Sequence, residues 1–291
     1  MRIVSSASPA ESSLQVAVVI AFYRADTTFP AALASVLTQT RPAAQIVVVD
    51  DASPHGSAES LHGLPQAVRI LRLSTNVGVN GARRAGTLAT STPLVAYLDA
   101  DDRWPPDYLE RMVAVLEAKP AVPGVFAATA RVWPDGRREA FTNKPETLDV
   151  REAIVRSHVL PSAMVLRRTA VDAVGGWGDD RWVIDDWHMI VRLTDARGPM
   201  VYVPGMLVEY SVGNSSSLNS SNLRVLRQWW RTLDQLGHVV DRHYGKGAAR
   251  RRFAKALADR GHRMGGVPGG LLRLGARVLG PPLDEVQRRA S

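Results

Sequence analysis

Seven carboxylates in three groups are the residues of this 291-residue chain best suited to chemistry: Asp50-Asp51, Asp99, Asp101 and Asp102, and Asp185-Asp186. Asp99 to Asp102 end the apolar run Leu94-Val95-Ala96-Tyr97-Leu98. A continuous apolar run reads as a strand buried on both faces, and open α/β sheets present ligand groups in the loop after such a strand. Carboxylates packed together repel one another, so the cluster suits a hard divalent cation whose other ligands are phosphate oxygens. A solvated acidic turn, with Asp101 or Asp102 capping the helix after Pro105-Pro106, is the simpler reading of the same residues. Asp50-Asp51 also follows an apolar run, Ile46 to Val49, and faces the same crevice if the two strands are neighbours. Asp185-Asp186 starts a helix behind a Gly-rich bend, where an Asp is most often a cap. A carboxylate near the cation site but not bound to it could instead take a proton from a hydroxyl, and Asp186 fits that description.

The elements that position these groups alternate. Val16 to Ile20, Ile46 to Val49, Val68 to Leu73 and Leu94 onward read as strands. Phe29 to Leu37 and Val79 to Leu88 read as helices, which together imply right-handed crossovers and a largely parallel sheet. After Lys119-Pro120 the pattern changes. A strand over Val125 to Val132 meets the turn signal Pro134-Asp135-Gly136, and the spacing predicts strands at 163–166, 200–203 and 207–210, hence a mixed sheet. Helices are expected over 150–155, over 169–174 with a stop at Gly175-Gly176, and over 185–193 with Trp187, Ile190 and Val191 on one side. Ser211 to Asn222 is polar enough for a mobile loop, and Leu223 onward reads as helical, with Trp229 and Trp230 available for packing or contact.

Composition bounds the function. Hydrophobic residues make up 45% and charged residues 22%, as in an ordinary globular chain. No cysteine is present, which removes disulfides, thiolate metal sites and a cysteine nucleophile. Residues 1–13 resemble a loose tail rather than a signal peptide, and no run is apolar enough to span a membrane. The net charge of +8 gathers toward the C-terminus, from Arg250-Arg251-Arg252 onward, and admits a polyanionic partner or a solvated helix face.

Five segments in order resemble glycosyltransferase family 2 enzymes of GT-A fold. They are Val16 to Thr40, Val47 to Ser53, Asn76-Val77-Gly78 with Ala82-Arg83-Arg84-Ala85-Gly86, Asp99-Ala100-Asp101-Asp102, and Gly175-Gly176-Trp177 with Asp185-Asp186-Trp187. The resemblance covers about residues 16–215. It implies an α/β, Rossmann-like mixed sheet flanked by helices. With the composition of residues 1–13 and the helical pattern after Leu223, it divides the chain into a tail (1–13), a catalytic domain (14–215, divided near 118 into nucleotide-binding and acceptor halves) and a helical extension (216–291).

The same resemblance implies roles. Ala21 and Tyr23 would line the nucleotide base, Asp51 would accept a hydrogen bond from it, and Arg83 would lie near the phosphates. Asp99 would touch ribose or donor sugar and share Mn2+ or Mg2+ with Asp101. Asp186 would be the general base, with Asp185 and Trp187 shaping the acceptor pocket. The implied reaction is inverting transfer from a nucleoside-diphosphate sugar, UDP foremost, to a hydroxyl of a glycan, natural product, peptide or lipid-linked acceptor. Ala21, Arg24, Arg84 and His188 depart from residues common in the family. No histidine follows the last strand, where Asn214 stands instead. The expected setting is the cytoplasm, with peripheral membrane contact through the basic end and self-association as further partners and no nucleic acid. A GxGxxG oxidoreductase is disfavoured by glycine spacing, a nucleotidyltransferase would not need Asp185-Asp186, and a basic binding module leaves the acids unexplained.

Overall fold

The computed structural model describes residues 14–54, 58–155, 159–178, 184–212 and 222–264. The expected tail at 1–13, the loop at 213–221 including Asn214, and everything after Met264 lie outside the described residues, as does the side chain of Asp185.

Apolar runs, β-branched in β1 and β2, make β1 (Val16–Phe22), β2 (Gln45–Asp50) and β4 (Leu94–Asp99), while the half-exposed Val-Arg-Ile-Leu-Arg makes β3 (Val68–Arg72). They are joined through α1 (Phe29–Leu37) and α2 (Gly78–Leu88) and, between β2 and β3, a short 3-10 turn. β1 lies parallel between β2 and β4, and β3 is parallel outside β2. After α3 (Tyr108–Ala118) come β5 (Gly124–Val132), β6 (Arg138–Phe141), β7 (Thr147–Leu148), α4 (Val150–Val155), β8 (Met164–Arg167), α5 (Arg168–Ala173), α6 (Asp185–Arg197), β9 (Met200–Ser211), α7 (Asn222–Tyr244) and α8 (Ala248–Met264). The sheet order is β3-β2-β1-β4-β8-β5-β9-β7, with β6 beside β5. β8 is antiparallel to both β4 and β5, so the sheet is mixed, as the change of pattern after Pro120 implied.

Strand side chains alternate between two apolar layers. Val18, Ile20, Val48, Ala96 and Leu98 pack with α1 and α3, whereas Val19, Val47, Val49, Val95 and Tyr97 pack with α2 and the later helices. Gly86 allows the second layer to close: a Cβ there would stand 2.3 Å from Val19 Cγ1.

One expectation needs correction. The strands at 200–203 and 207–210 are a single strand, because β5 pairs with both halves across a register shift between Phe126 and Ala128. Pro204 and Gly205 sit at this irregularity, where a missing amide is tolerated, and their carbonyls accept from the Arg111 guanidinium. Among the described residues no helix is long and apolar enough to cross a membrane.

Candidate active site

The chain order reverses on either side of β1, which makes the C-terminal edge of β2, β1 and β4 the switch point where open α/β sheets bind ligands. Ala21 is registered with Val49 on one side and Asp99 on the other, and Phe22 with Asp50. The two acidic groups of the first half therefore end at one sheet edge, separated by a single strand. Tyr23, nearly half exposed, leaves β1 at that edge. The next residue, Arg24, and Ala52 after Asp51 both adopt left-handed backbone (φ 52° and 57°), an uncommon conformation that gathers at functional edges.

Each acid is held differently. Asp50 is fully buried, accepting from Ser53 N at 2.9 Å and Arg72 Nε at 2.6 Å, so it braces the sheet edge. Asp51 accepts from the Val77 and Gly78 amides at 2.7 and 2.8 Å, a charge-assisted pair at the start of α2 where the helix dipole favours an anion. Asp99, 30% exposed, takes the guanidinium of Arg83 at 2.5 Å, while Arg83 itself is only 2% exposed. Arg83 lies over the Trp177 ring, 4.9 Å from its centroid, and Tyr97 meets that ring edge-on at 5.0 Å.

Asp102 turns inward and does not cap the next helix, whose cap position is Asp107. Its carboxylate accepts from Ser162 Oγ at 2.6 Å and Ser211 N at 3.1 Å, and Ser162 Oγ also accepts the Asp99 amide. Burial, then the charges of Asp99 and Asp101, push the Asp102 carboxyl well above its usual range. Burial and the same three acids raise the Tyr210 phenol. The loop is fastened to β9 by reciprocal backbone bonds between Arg103 and Glu209 and by Ser211 Oγ donating to the Asp101 carbonyl.

The donor set suits a divalent cation. Asp99, Asp101 and Asp102 crowd their charges within four residues, adding to the burial that already disfavours ionised Asp102, and Asp101 is half-buried beside it. Among the described residues no three His, Cys, Asp or Glu side chains form a cage on their own, so a cation here would complete its shell with phosphate oxygens, the usual habit of Mg2+.

Asp186 stands in the second half, on a helix anchored by long-range contacts; among the described residues its link to the first-half edge runs through the Gly175-Gly176 turn and Trp177 rather than through a contact of its own carboxylate with those acids. Gly175 and Gly176 are both left-handed (φ 75° and 72°), and their turn sets Trp177 against Arg83. Arg192 of α6 donates to the carbonyls of Val174 and Gly176, fixing the helix to that turn. At its start, Asp186 Oδ1 accepts the Trp187 amide at 2.6 Å. The structure puts the Trp187 side chain in the core: its indole donates to the Ala153 carbonyl at 2.7 Å and its ring packs on Trp229. Trp187 thus fixes Asp186 from behind rather than lining an open pocket. Thr232 Oγ1 accepts the Ile184 amide at 2.7 Å, one residue before the Asp pair.

Ser162, Tyr210, Ser211, Thr232 and Arg192 escaped the sequence reading. Each reaches the site through a partner distant in sequence, without a motif. Trp177 alone carried a signal, standing directly after Gly175-Gly176.

The model of glycosyl transferase family 2 matches residues 17–175. The chain is similar to the uncharacterized glycosyltransferase alr2836 of Nostoc sp. (34% identical over 113 residues, covering 38% of this chain and 35% of that one). It is also similar to succinoglycan biosynthesis protein ExoO of Rhizobium meliloti (37% over 101 residues, 34% and 29%). The matched stretches span about a third of the length of these curated relatives. Among solved structures it resembles GalNAc-T7 crystallised with UDP, GalNAc and Mn2+, with TM-score 0.59 and 16% identity over 81% of this chain and 52% of that one. At that identity the likeness speaks for the GT-A fold. With a family match over more than half its length, running from β1 to the Gly175 turn, the chain belongs to glycosyltransferase family 2.

Proposed function

We propose that the protein moves a sugar from a nucleoside-diphosphate sugar, UDP-linked by preference, to an acceptor hydroxyl with inversion at the anomeric carbon. The observation that carries this reading is the convergence of Asp51, Ala21, Asp99 and Arg83 on the β2-β1-β4 edge, beside Asp101.

In this reading Ala21 and Tyr23 flank the nucleotide base. Asp51, oriented by two amides, accepts a base N–H. Arg83 directs positive charge toward the diphosphate, and Asp99 holds its guanidinium in place while offering its other oxygen to the donor. Asp101 and Asp99 would hold Mn2+ or Mg2+, which supplies charge neutralisation for the leaving nucleoside diphosphate. Asp186 accepts the acceptor hydroxyl's proton as that oxygen bonds to the anomeric carbon; the bond from that carbon to the phosphate oxygen breaks, and its electron pair leaves with the diphosphate. Asp185 shapes the acceptor side, and Trp187 sets the position of α6.

Calorimetric titration with UDP, dTDP and GDP, each with and without manganese, tests the reading. Metal-dependent binding of one nucleotide, lost in Asp101→Ala, supports it and identifies the donor class. Failure of all three nucleotides to bind overturns it.

A further inference from the structure

Between Asn222 and Met264 eleven Lys and Arg stand against three Asp and Glu, an excess of eight that equals the net charge of the entire chain. The remaining residues hold 25 cations and 25 anions. The charge surplus is therefore a property of α7 and α8 and not of the nucleotide edge.

These helices also expose an aromatic side chain. Two adjacent tryptophans on α7 take opposite roles: Trp229 turns inward against Trp187, whereas Trp230 is 60% exposed, with Phe253 of α8 edge-on at 5.7 Å. Arg227 and Arg231 on α7 and Arg250 on α8 are exposed on the same two helices, three residues before, one after, and three before these rings. Below this surface the pair is tied to the acceptor half. Arg252 donates Nε–H to the Ile154 carbonyl at 3.0 Å and lies over the rings of Trp187 and Trp229, and Thr232 holds the Ile184 amide.

We propose that the α7–α8 pair is a docking surface for an anionic lipid bilayer. Cations on an amphipathic helix are drawn to acidic headgroups, and indole is the side chain most at home at the headgroup level. Nothing in the chemistry asks for insertion across the bilayer: the surface lies on it, Trp230 anchoring and the arginines binding. An exposed indole beside a phenyl ring distinguishes this surface from one meant only for a phosphate backbone, which needs charge alone for sequence-independent binding. Because Thr232 and Arg252 fasten the pair to the segments around α6, a docked α7–α8 presents the acceptor half to substrates held at the membrane surface.

Vesicle flotation with the full chain tests this. Vesicles of phosphatidylcholine with about one third phosphatidylglycerol should carry the protein at low salt, and about 0.5 M salt should release it. Vesicles of phosphatidylcholine alone should not carry it. Arg250→Glu should lower the partition at least about fivefold, the worth of one cation at an anionic surface, and Trp230→Ser, which removes the interfacial indole, should lower it as well. Arg69→Glu, an equal charge change on the exposed edge strand β3, should leave it unaltered. Circular dichroism and nucleotide titration of each variant establish that the fold is retained. Three results overturn the proposal: no flotation with anionic vesicles, flotation of the folded Arg250→Glu and Trp230→Ser proteins undiminished from that of the natural chain, or protein stripped from the vesicles by duplex DNA at equal phosphate concentration. The last would assign the surface to nucleic acid.

Discussion

The two halves of the proposed site are built on different principles. On the proposed donor side, Asp50, Asp51 and Asp99 sit at the ends of registered parallel strands, and their partners come from the next strand, through Arg72 of β3, and from the α2 crossover, through Val77, Gly78 and Arg83. On the acceptor side, Asp186 starts a helix whose position is set by α4, the Gly175 turn, α7 and α8, through Trp187, Arg192, Thr232 and Arg252. A strand edge orients its carboxylates by hydrogen-bond register. A helix start is only as well placed as the distant segments that hold it. The donor side should therefore tolerate disturbance of the acceptor side, while the acceptor side depends on packing far from the chemistry.

That difference can be broken first at Asp186. Asp186→Asn should lower turnover about 100- to 10,000-fold, the usual worth of general base assistance, with nucleotide affinity unchanged by titration. Asp101→Ala should act on the other side, lowering metal-dependent nucleotide affinity at least about tenfold, because a cation of this kind is held by only one or two carboxylates and loses a principal ligand. Arg83→Met removes a charge-assisted bond to Asp99 and should cost about 2 kcal/mol in denaturant melts, together with nucleotide affinity. Thr232→Val leaves the Ile184 amide without its acceptor and should cost about 1–2 kcal/mol. Its turnover should fall more than its nucleotide affinity, which sharpens the claim that α7 serves Asp186. The smallest effect is expected at Gly86→Ala, where overpacking against Val19 costs about 1–3 kcal/mol and the better helix former returns about 1, so the melt should shift by about 1 kcal/mol.

The same contrast explains what was legible in the sequence. Val16 to Ile20, Ile46 to Val49 and Leu94 to Leu98 announce buried strands, and the acids that follow them inherit positions from the sheet. Ser162 gave no such signal: its hydroxyl reaches Asp102 across 60 residues, and only the antiparallel insertion of β8 beside β4 brings it there. Asp102 read as one of a cation-binding cluster, or as a solvated acid or cap, because the sequence does not say which way a carboxylate in a loop turns. The spacing sets Trp187 on one side of α6 with Ile190 and Val191, while the family resemblance implies an acceptor-pocket role; α4 and the α7–α8 pair bury it, and amphipathic spacing cannot reveal which helices cover a face. Pro204-Gly205 looked like a break between strands, and only the partner strand β5 shows that pairing continues beyond it.

The most direct test of the two-part site is titration of UDP with manganese into three proteins in parallel: the natural chain, Asp186→Asn and Asp101→Ala. The account predicts that Asp186→Asn binds as the natural chain does while failing to turn over, and that Asp101→Ala loses the metal-dependent binding. Equal loss of binding in both variants, or undiminished binding in Asp101→Ala, would contradict it.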